Sequence, residues 1–372
     1  MLIVLVGKDY SLDMENPLGQ RLRELPGPVL LTGHTGFKGT WMTLLFEHLR
    51  IPVIGYSLPP EKDSLYDRAR RTGAILEKFE DIRDYKALEH FMDLHKPSTI
   101  IHMAAQPLVL KSYDSPRETF DVNIMGTVNV LDIAFKKDFV KAVIVVTTDK
   151  VYRNDNSGRA FSETDPLEGK DPYSASKVGT EAAVAAWQQI SKVSGGPRVV
   201  SVRAGNVIGG GDFALDRLFP DIVRGAISGD PIEIRNPNST RPWQHVLDPL
   251  IGYLSTLEVL LRDSSLTNIN FGPSSEVITV KEAAKHLLDV LQITNEVEYK
   301  SSGSDASGIE ATVLSLDSSF ATAALNWEPL VSGLRAIEMT GQWWNKVLNL
   351  KLDAYRASME DINNLMGSLH EK

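Results

Sequence analysis

The sequence predicts a doubly wound α/β domain with a parallel sheet, joined to a smaller domain assembled from discontinuous segments. Three observations predict it. Short β-branched apolar runs alternate with helical patterns from Val29 to about Val146. A glycine-rich turn stands where the first such run meets the first helical pattern. After Gly205 the texture changes to glycine- and proline-bearing loops.

The apolar runs are VLLTG from Val29, PVIGY from Pro52, STIIHMA from Ser98 and KAVIVVTT from Lys141, then RVVSVRAG from Arg198 and NINFG from Asn268 to Gly272. Strands buried on both faces read as continuous apolar runs, the signature of a parallel sheet. A third strand is expected ahead of Asp81. Helical patterns cover Lys38 to Leu49, Tyr85 to Leu94, Pro116 to Phe135 and Tyr173 to about Ser191. Others start at Val280 and run from Val331 to about Leu348; the tail after Leu350 reads as a peripheral amphipathic helix. The expected division is a Rossmann-like nucleotide-binding domain, 28–205 with 246–272, and a smaller, discontinuous C-terminal substrate-binding domain, 206–245 with 273–350. Residues 1–27 are expected as an extension, either an extra strand or packed arm or a poorly ordered segment.

Composition narrows the function. The chain has 372 residues, 42% hydrophobic and 23% charged, as globular proteins do. A net charge of -9 argues against a broad cationic surface for nucleic acid, though not against a local basic pocket. The absence of cysteine excludes disulfides, thiolate metal sites and cysteine nucleophiles, and fits a cytoplasmic protein. The opening MLIVLVG is too short to span a bilayer. No membrane and no metal are expected. His102 and His245, single histidines beside apolar residues, read as structural.

Gly33-His34-Thr35-Gly36-Phe37-Lys38-Gly39 follows a strand and opens a helix. Glycines permit a tight turn and close backbone approach, and the helix N-terminus then faces a pyrophosphate. Such a turn is expected to bind a dinucleotide through Gly33, Thr35, Gly36, Phe37, Lys38 and Gly39. An acid usually stands about twenty residues on, for the ribose diol; here the second strand ends in Ser57 with no arginine beside it, which favours NAD. Asp81 and Ile82 are expected at the adenine, with Asp81 as the N-cap of the following helix the competing reading.

Tyr173 and Lys177 in YSASK share one helical face at i, i+4. An ammonium and a positive nicotinamide ring nearby both lower a phenol's pKa, which would let Tyr173 accept a proton from a hydroxyl as hydride leaves. The strand ending in Thr148, Asp149 and Lys150 supplies the remaining groups, because parallel strands place ligands at their carboxyl ends. Thr148 is expected to hydrogen-bond the same hydroxyl.

TTDKVY is similar to the corresponding segment of nucleotide-sugar 4,6-dehydratases of the extended short-chain dehydrogenase/reductase type. GHTGFKGTW, HMAAQPLV, DPYSASK, RAGNVIGGGD and RPWQHVL occur in that order and together resemble the CDP-glucose 4,6-dehydratases. Val151, Arg153, Phe213 and Ile309 depart from the residues usual in that family. The resemblance implies a redox-neutral reaction: oxidation at sugar C4 with NAD, loss of water across C5 and C6, and return of hydride to C6. Asp149 would be the acid that protonates the departing C6 hydroxyl. Lys150 would be the C5 base or, equally, an anchor for a substrate oxygen.

By the same resemblance Ala104, Ala105 and Asn123 belong to the cofactor site with Tyr173 and Lys177, and Gln106 and Asn206 to the substrate. Charge assigns Arg241 to the nucleoside diphosphate. Arg217 and Arg235 are secondary candidates or plain salt-bridge partners. A homodimer through the Pro116 and Tyr173 helices, a CDP-sugar substrate and a place in deoxysugar synthesis for cell-surface polysaccharide are implied. The alternatives are a dehydratase of another nucleotide sugar, a nucleotide-sugar 4-epimerase that needs no Asp149, and a non-catalytic nucleotide sensor.

Overall fold

The computed structural model describes residues 18–155, 157–262, 265–273, 278–300 and 314–370. Seven parallel strands form its central sheet: β1 Val29–Thr32, β2 Val53–Ser57, β3 Leu76–Phe79, β4 Thr99–His102, β5 Ala142–Val146, β6 Arg198–Ala204 and β7 Asn268–Phe271. Their order is β7-β6-β5-β4-β1-β2-β3, so the winding reverses between β1 and β4, where doubly wound sheets bind their ligands. The apolar runs became strands because both faces of the sheet are covered: every residue of β1, β4 and β5 is buried. β3 differs. It is the edge strand LEKF, with alternating exposure, so no continuous apolar run announces it.

Four helices position the site. Helix α1 (Phe37–His48) leaves the glycine turn, and α2 (Tyr85–His95) is capped by the Asp84 side chain accepting from Ala87 N at 2.9 Å. Asp84, not Asp81, is therefore the cap. Pro116–Phe120, a π-turn at Asp121–Met125 and Gly126–Phe135 follow one another as α3. Helix α4 (Pro172–Ser194) starts on an Asp171 cap with Pro172 in its first turn, and stops at Gly195, whose φ is 76°.

Beyond β6 the chain adds α5 (Leu218–Ser228), α6 (Leu247–Leu260), α7 (Val280–Leu291) and α8 (Gly333–Leu348), with short paired strands between them. Ile232–Arg235 runs parallel to Val297–Lys300, and Thr240–Arg241 antiparallel to Ile278–Thr279. One hydrophobic cluster joins Leu31, Ile144 and Val202 of the sheet to Trp41, Trp243, Ile234, Trp343 and Trp344.

The tail is not peripheral. Helix α9 (Ala354–His370) buries Ala357, Ile362, Leu365 and Met366 in that same cluster, Ser358 Oγ accepts from Trp343 Nε1 at 3.0 Å, and Tyr355 OH donates to Glu47 at 2.6 Å. Amphipathicity marked one face for burial without saying how deeply it would dock. Of the expected N-terminal arm, residues 1–17 lie outside the described residues; Gln20–Glu24 is a short helix whose Leu22 is buried. Ile309 lies outside them too. Among the described residues no helix is long and apolar enough to cross a membrane.

Candidate active site

The glycine turn closes on the carboxyl end of β4. Gly33 has φ 74°, and a Cβ there would stand 2.7 Å from Ala104 N; a Cβ on Gly39 would overlap the Gly33 carbonyl oxygen. Only glycine meets both demands. Gly36 caps α1, so the first amides of that helix lack carbonyl partners within it and face the turn. At the tip of β2 the Ser57 and Thr35 hydroxyls are 2.8 Å apart, and Thr35 also donates to Leu58 O at 3.0 Å. A cradle that any side chain would fill, with hydroxyls at the ribose position, fits NAD. The Asp81 carboxylate is held by Arg83 at 2.6–3.1 Å, while Ile82 is buried against Gly126.

The segment after β4 is fastened to α3 and α4. Ala104 N donates to Thr32 Oγ1 at 3.2 Å, and Ala105 is half-buried beside it. Asn123, inside the π-turn, accepts from Gln106 N at 2.8 Å and donates to Gln106 O at 3.1 Å and Ser176 Oγ at 2.8 Å. Gln106 Nε2 donates to Leu108 O and Thr119 Oγ1, and its Oε1 accepts from Leu108 N. The side chains of Asn123 and Gln106 are thus engaged in shaping the loop; sequence assigned them to ligands. His102 does what a lone buried histidine usually does: it bridges Thr32 Oγ1 at 2.7 Å and Thr127 Oγ1 at 3.1 Å, and burial pushes it down to about 3.

At the end of β5 the chain makes a single 3₁₀ turn, Asp149–Val151, capped by Thr148. Thr148 Oγ1 donates to Asp149 Oδ1 at 2.9 Å and accepts from Lys150 N at 3.3 Å. Asp149 is 4% exposed, and burial raises its pKa against the opposing charge of Lys150. A carboxyl so placed keeps its proton longer than an exposed one, as a general acid must. Its Oδ2 lies 3.0 Å from where a Cβ on Gly205 would stand.

Tyr173 and Lys177 line the same buried ground, but not as their spacing suggests. Burial raises Tyr173 to about 12, with the neighbouring Thr148 side chain lowering it and the charge of Asp149 raising it further. The Lys177 ammonium turns to the Val146 carbonyl at 3.1 Å, and burial lowers it to about 8 while Glu181 opposes the shift. The expected drop in the phenol's pKa is therefore not produced by Lys177 in the protein alone. Helical spacing puts two side chains on one face; it does not choose the ammonium's acceptor.

The arginines separate. Arg217 pairs with Asp212 at 3.0 Å, and its charge reaches Tyr173 and Lys38. Arg241 is half-buried on its short strand, donating to Thr240 O at 3.0 Å, and the Asn206 carbonyl accepts from Gln244 N. Arg235 faces Asp216 and Asp221 at 3.6 and 3.7 Å and is half-exposed, the salt-bridge alternative.

Residues 29–270 match the NAD dependent epimerase/dehydratase family. The chain is also 39% identical over 317 residues to the CDP-glucose 4,6-dehydratase of Salmonella typhimurium, covering 81% of this chain and 86% of that one. The chain belongs to the NAD-dependent epimerase/dehydratase family. Its fold matches a UDP-glucose 4-epimerase with UDP-glucose from Thermotoga maritima (TM-score 0.75, 22% identity, 87% of this chain and 100% of that one). It also matches a dTDP-glucose 4,6-dehydratase in complex with NAD from Bacillus anthracis (TM-score 0.71, 22% identity, 86% and 97%). Epimerase and dehydratase share the fold, so side chains must separate them.

Within this NAD-dependent enzyme, sequence reasoning missed three contributors. The Lys38 side chain, counted only with the turn, reaches Tyr253 OH at 3.3 Å and lies within the fields of Asp149, Lys177 and Arg217. Burial, then Arg217, lowers it to about 8. Gly205 leaves room for the Asp149 carboxyl. Glu181, one turn past Lys177, forms a buried ion pair with Arg203. The one available signal was Glu181 at i+4 from Lys177 on the same helical face.

Proposed function

We propose that this enzyme dehydrates CDP-glucose to the CDP-4-keto-6-deoxy sugar. Asp149 carries the reading: a buried carboxyl with a raised pKa, one residue past Thr148 and within the field of Tyr173. A 4-epimerase has no step that needs such an acid. The likeness to the Salmonella typhimurium protein supports CDP as the nucleotide.

NAD, held at the glycine turn from Gly33 to Gly39, would supply the hydride acceptor for C4 and the hydride donor for C6. Tyr173 takes the proton of the C4 hydroxyl, with Thr148 hydrogen-bonding the same oxygen. The C4 ketone acidifies the C5 proton, which Lys150 removes; a proton from solvent returns to C5 as hydride reaches C6. Asp149 gives its proton to the C6 hydroxyl, which leaves as water, and the net change is the loss of one water. Arg217 and Arg241 hold the diphosphate, which offers paired anionic oxygens to a guanidinium. Incubation with CDP-glucose in deuterated water tests this: a product one water lighter with deuterium at C5 is expected. A product isobaric with substrate would make the enzyme an epimerase.

The setting we propose is cytoplasmic deoxysugar synthesis for cell-surface polysaccharide. Leu110, Tyr113, Phe120, Met125, Ile190 and Val193 are large apolar residues left exposed on and around α3 and α4. They support a homodimer through those helices; light scattering should give twice the chain mass.

A further inference from the structure

Glu181 lies 5% exposed on α4, facing β5 and β6. Its Oε1 accepts from Thr147 Oγ1 at 2.5 Å and Arg203 Nε at 2.8 Å; its Oε2 accepts from Ser201 Oγ at 2.7 Å and Arg203 Nη2 at 2.9 Å. Arg203, 2% exposed, sends Nη1 to Tyr152 OH at 2.7 Å and to Glu163 O at 3.3 Å, and its guanidinium lies 5.0 Å from the Tyr152 ring centre. Tyr152 OH donates in turn to Asn270 Oδ1 at 2.7 Å on β7. Thr147 immediately precedes the stretch Thr148–Asp149–Lys150–Val151, and Tyr152 immediately follows it.

We propose that Glu181 and Arg203 are positioning residues, which hold the catalytic turn at both ends and fix its side chains against α4. A buried ion pair costs desolvation and is a poor device for stability alone, since apolar residues of similar volume often serve as well. It does offer directional bonds. Each carboxylate oxygen takes two donors, and the donors come from the residue before the turn, from β6 and from the arginine that reaches the residue after it. Thr148 and Asp149 must be held in register with Tyr173 for one hydroxyl to be deprotonated and another protonated, and misplacement by about 1 Å costs on the order of a hundredfold. The charge of Glu181 also opposes the lowering of Lys177 by burial, and the charge of Lys177 in turn reaches His102 of β4 and Lys38 of α1.

The inference rests on the proposed dehydratase reading, and its test is separable from it. The wild type must first form the 4-keto-6-deoxy product; if it forms none from any nucleotide sugar, that reading fails. The double variant Thr147→Val/Tyr152→Phe releases both ends of the turn and leaves the ion pair in place. A kcat at least tenfold lower is expected, with KM within twofold. In Glu181→Leu/Arg203→Met both charges go together, so the fold should melt near the wild-type temperature while kcat stays at least tenfold down. With Glu181 gone, the alkaline limb of its pH–rate profile should move to lower pH, because nothing then opposes the burial of Lys177. Wild-type kcat in either double variant overturns the proposal. So does a loss of kcat in the second that tracks its melting temperature and leaves the pH profile unmoved, which marks a structural role.

Discussion

Replacing Asp149 by asparagine should uncouple oxidation from elimination, which the wild type runs together. The amide has the carboxyl's shape, so its fit beside Gly205 and the hydrogen bond from Thr148 to Oδ1 at 2.9 Å are retained. Oxidation at C4 uses Thr148, Tyr173, Lys177 and the cofactor, none of which the change removes. Expulsion of the C6 hydroxyl loses its proton donor. General-acid assistance is worth about 10²–10⁴-fold, or about 3–5 kcal/mol of barrier. That places elimination well behind oxidation. The assay is rapid mixing with CDP-glucose, followed by absorbance of the reduced cofactor and by mass of the quenched sugar. The variant should accumulate the 4-keto sugar with its C6 oxygen still in place, and the wild type should show little of it. Deoxysugar formed at the wild-type rate refutes Asp149 as the acid.

Other outcomes follow from the same geometry. Tyr173→Phe removes the group that takes the C4 proton, so turnover should nearly vanish while substrate affinity, measured by calorimetry, changes little. Gly205→Ala puts a methyl group 3.0 Å from Asp149 Oδ2 and should slow product formation about tenfold, or about 1.4 kcal/mol in barrier; an unchanged kcat would mean the carboxyl is not confined there. His245 is buried with Nε2 unpartnered, and burial lowers it from 6.5 to about 3. The unfolded chain therefore takes up a proton that the folded one refuses between those values. Stability from this group is complete above about pH 6.5 and lost as pH falls, about 2 kcal/mol of it by pH 5. In His245→Phe, denaturant unfolding at pH 7 and pH 5 should differ by that much less than in the wild type.

Much of this was written locally in the chain. Runs such as VLLTG and KAVIVVTT name buried strands because β-branched residues suit a sheet covered on both faces. The glycine turn is legible because Gly33 and Gly39 meet backbone, which no other residue could do. Asp149 is legible from its place at a strand end, and its raised pKa follows from burial there. What failed to show depends on residues far apart in sequence. The strand expected ahead of Asp81 is there as β3, but its bounds had no apolar run to mark them, because it is charged and lies at the sheet edge. The Lys177 acceptor, Val146 O, is 31 residues away, and the Arg203–Glu181 and Tyr152–Asn270 bonds span 22 and 118 residues. No spacing rule reaches that far. The Asn123 amide bonds the Gln106 backbone across 17 residues, and the Gln106 amide bonds Leu108 and Thr119, contacts that their residue types alone do not reveal.

The most direct test of the dehydratase assignment is a competition among CDP-, dTDP-, UDP- and GDP-glucose, with NAD present and products resolved by mass. A 4-keto-6-deoxy product from CDP-glucose is predicted, at a kcat/KM at least tenfold above any other nucleotide. A preference for another nucleotide would keep the chemistry and correct the substrate. Products isobaric with substrate, or no turnover of any of the four, would contradict the dehydratase itself.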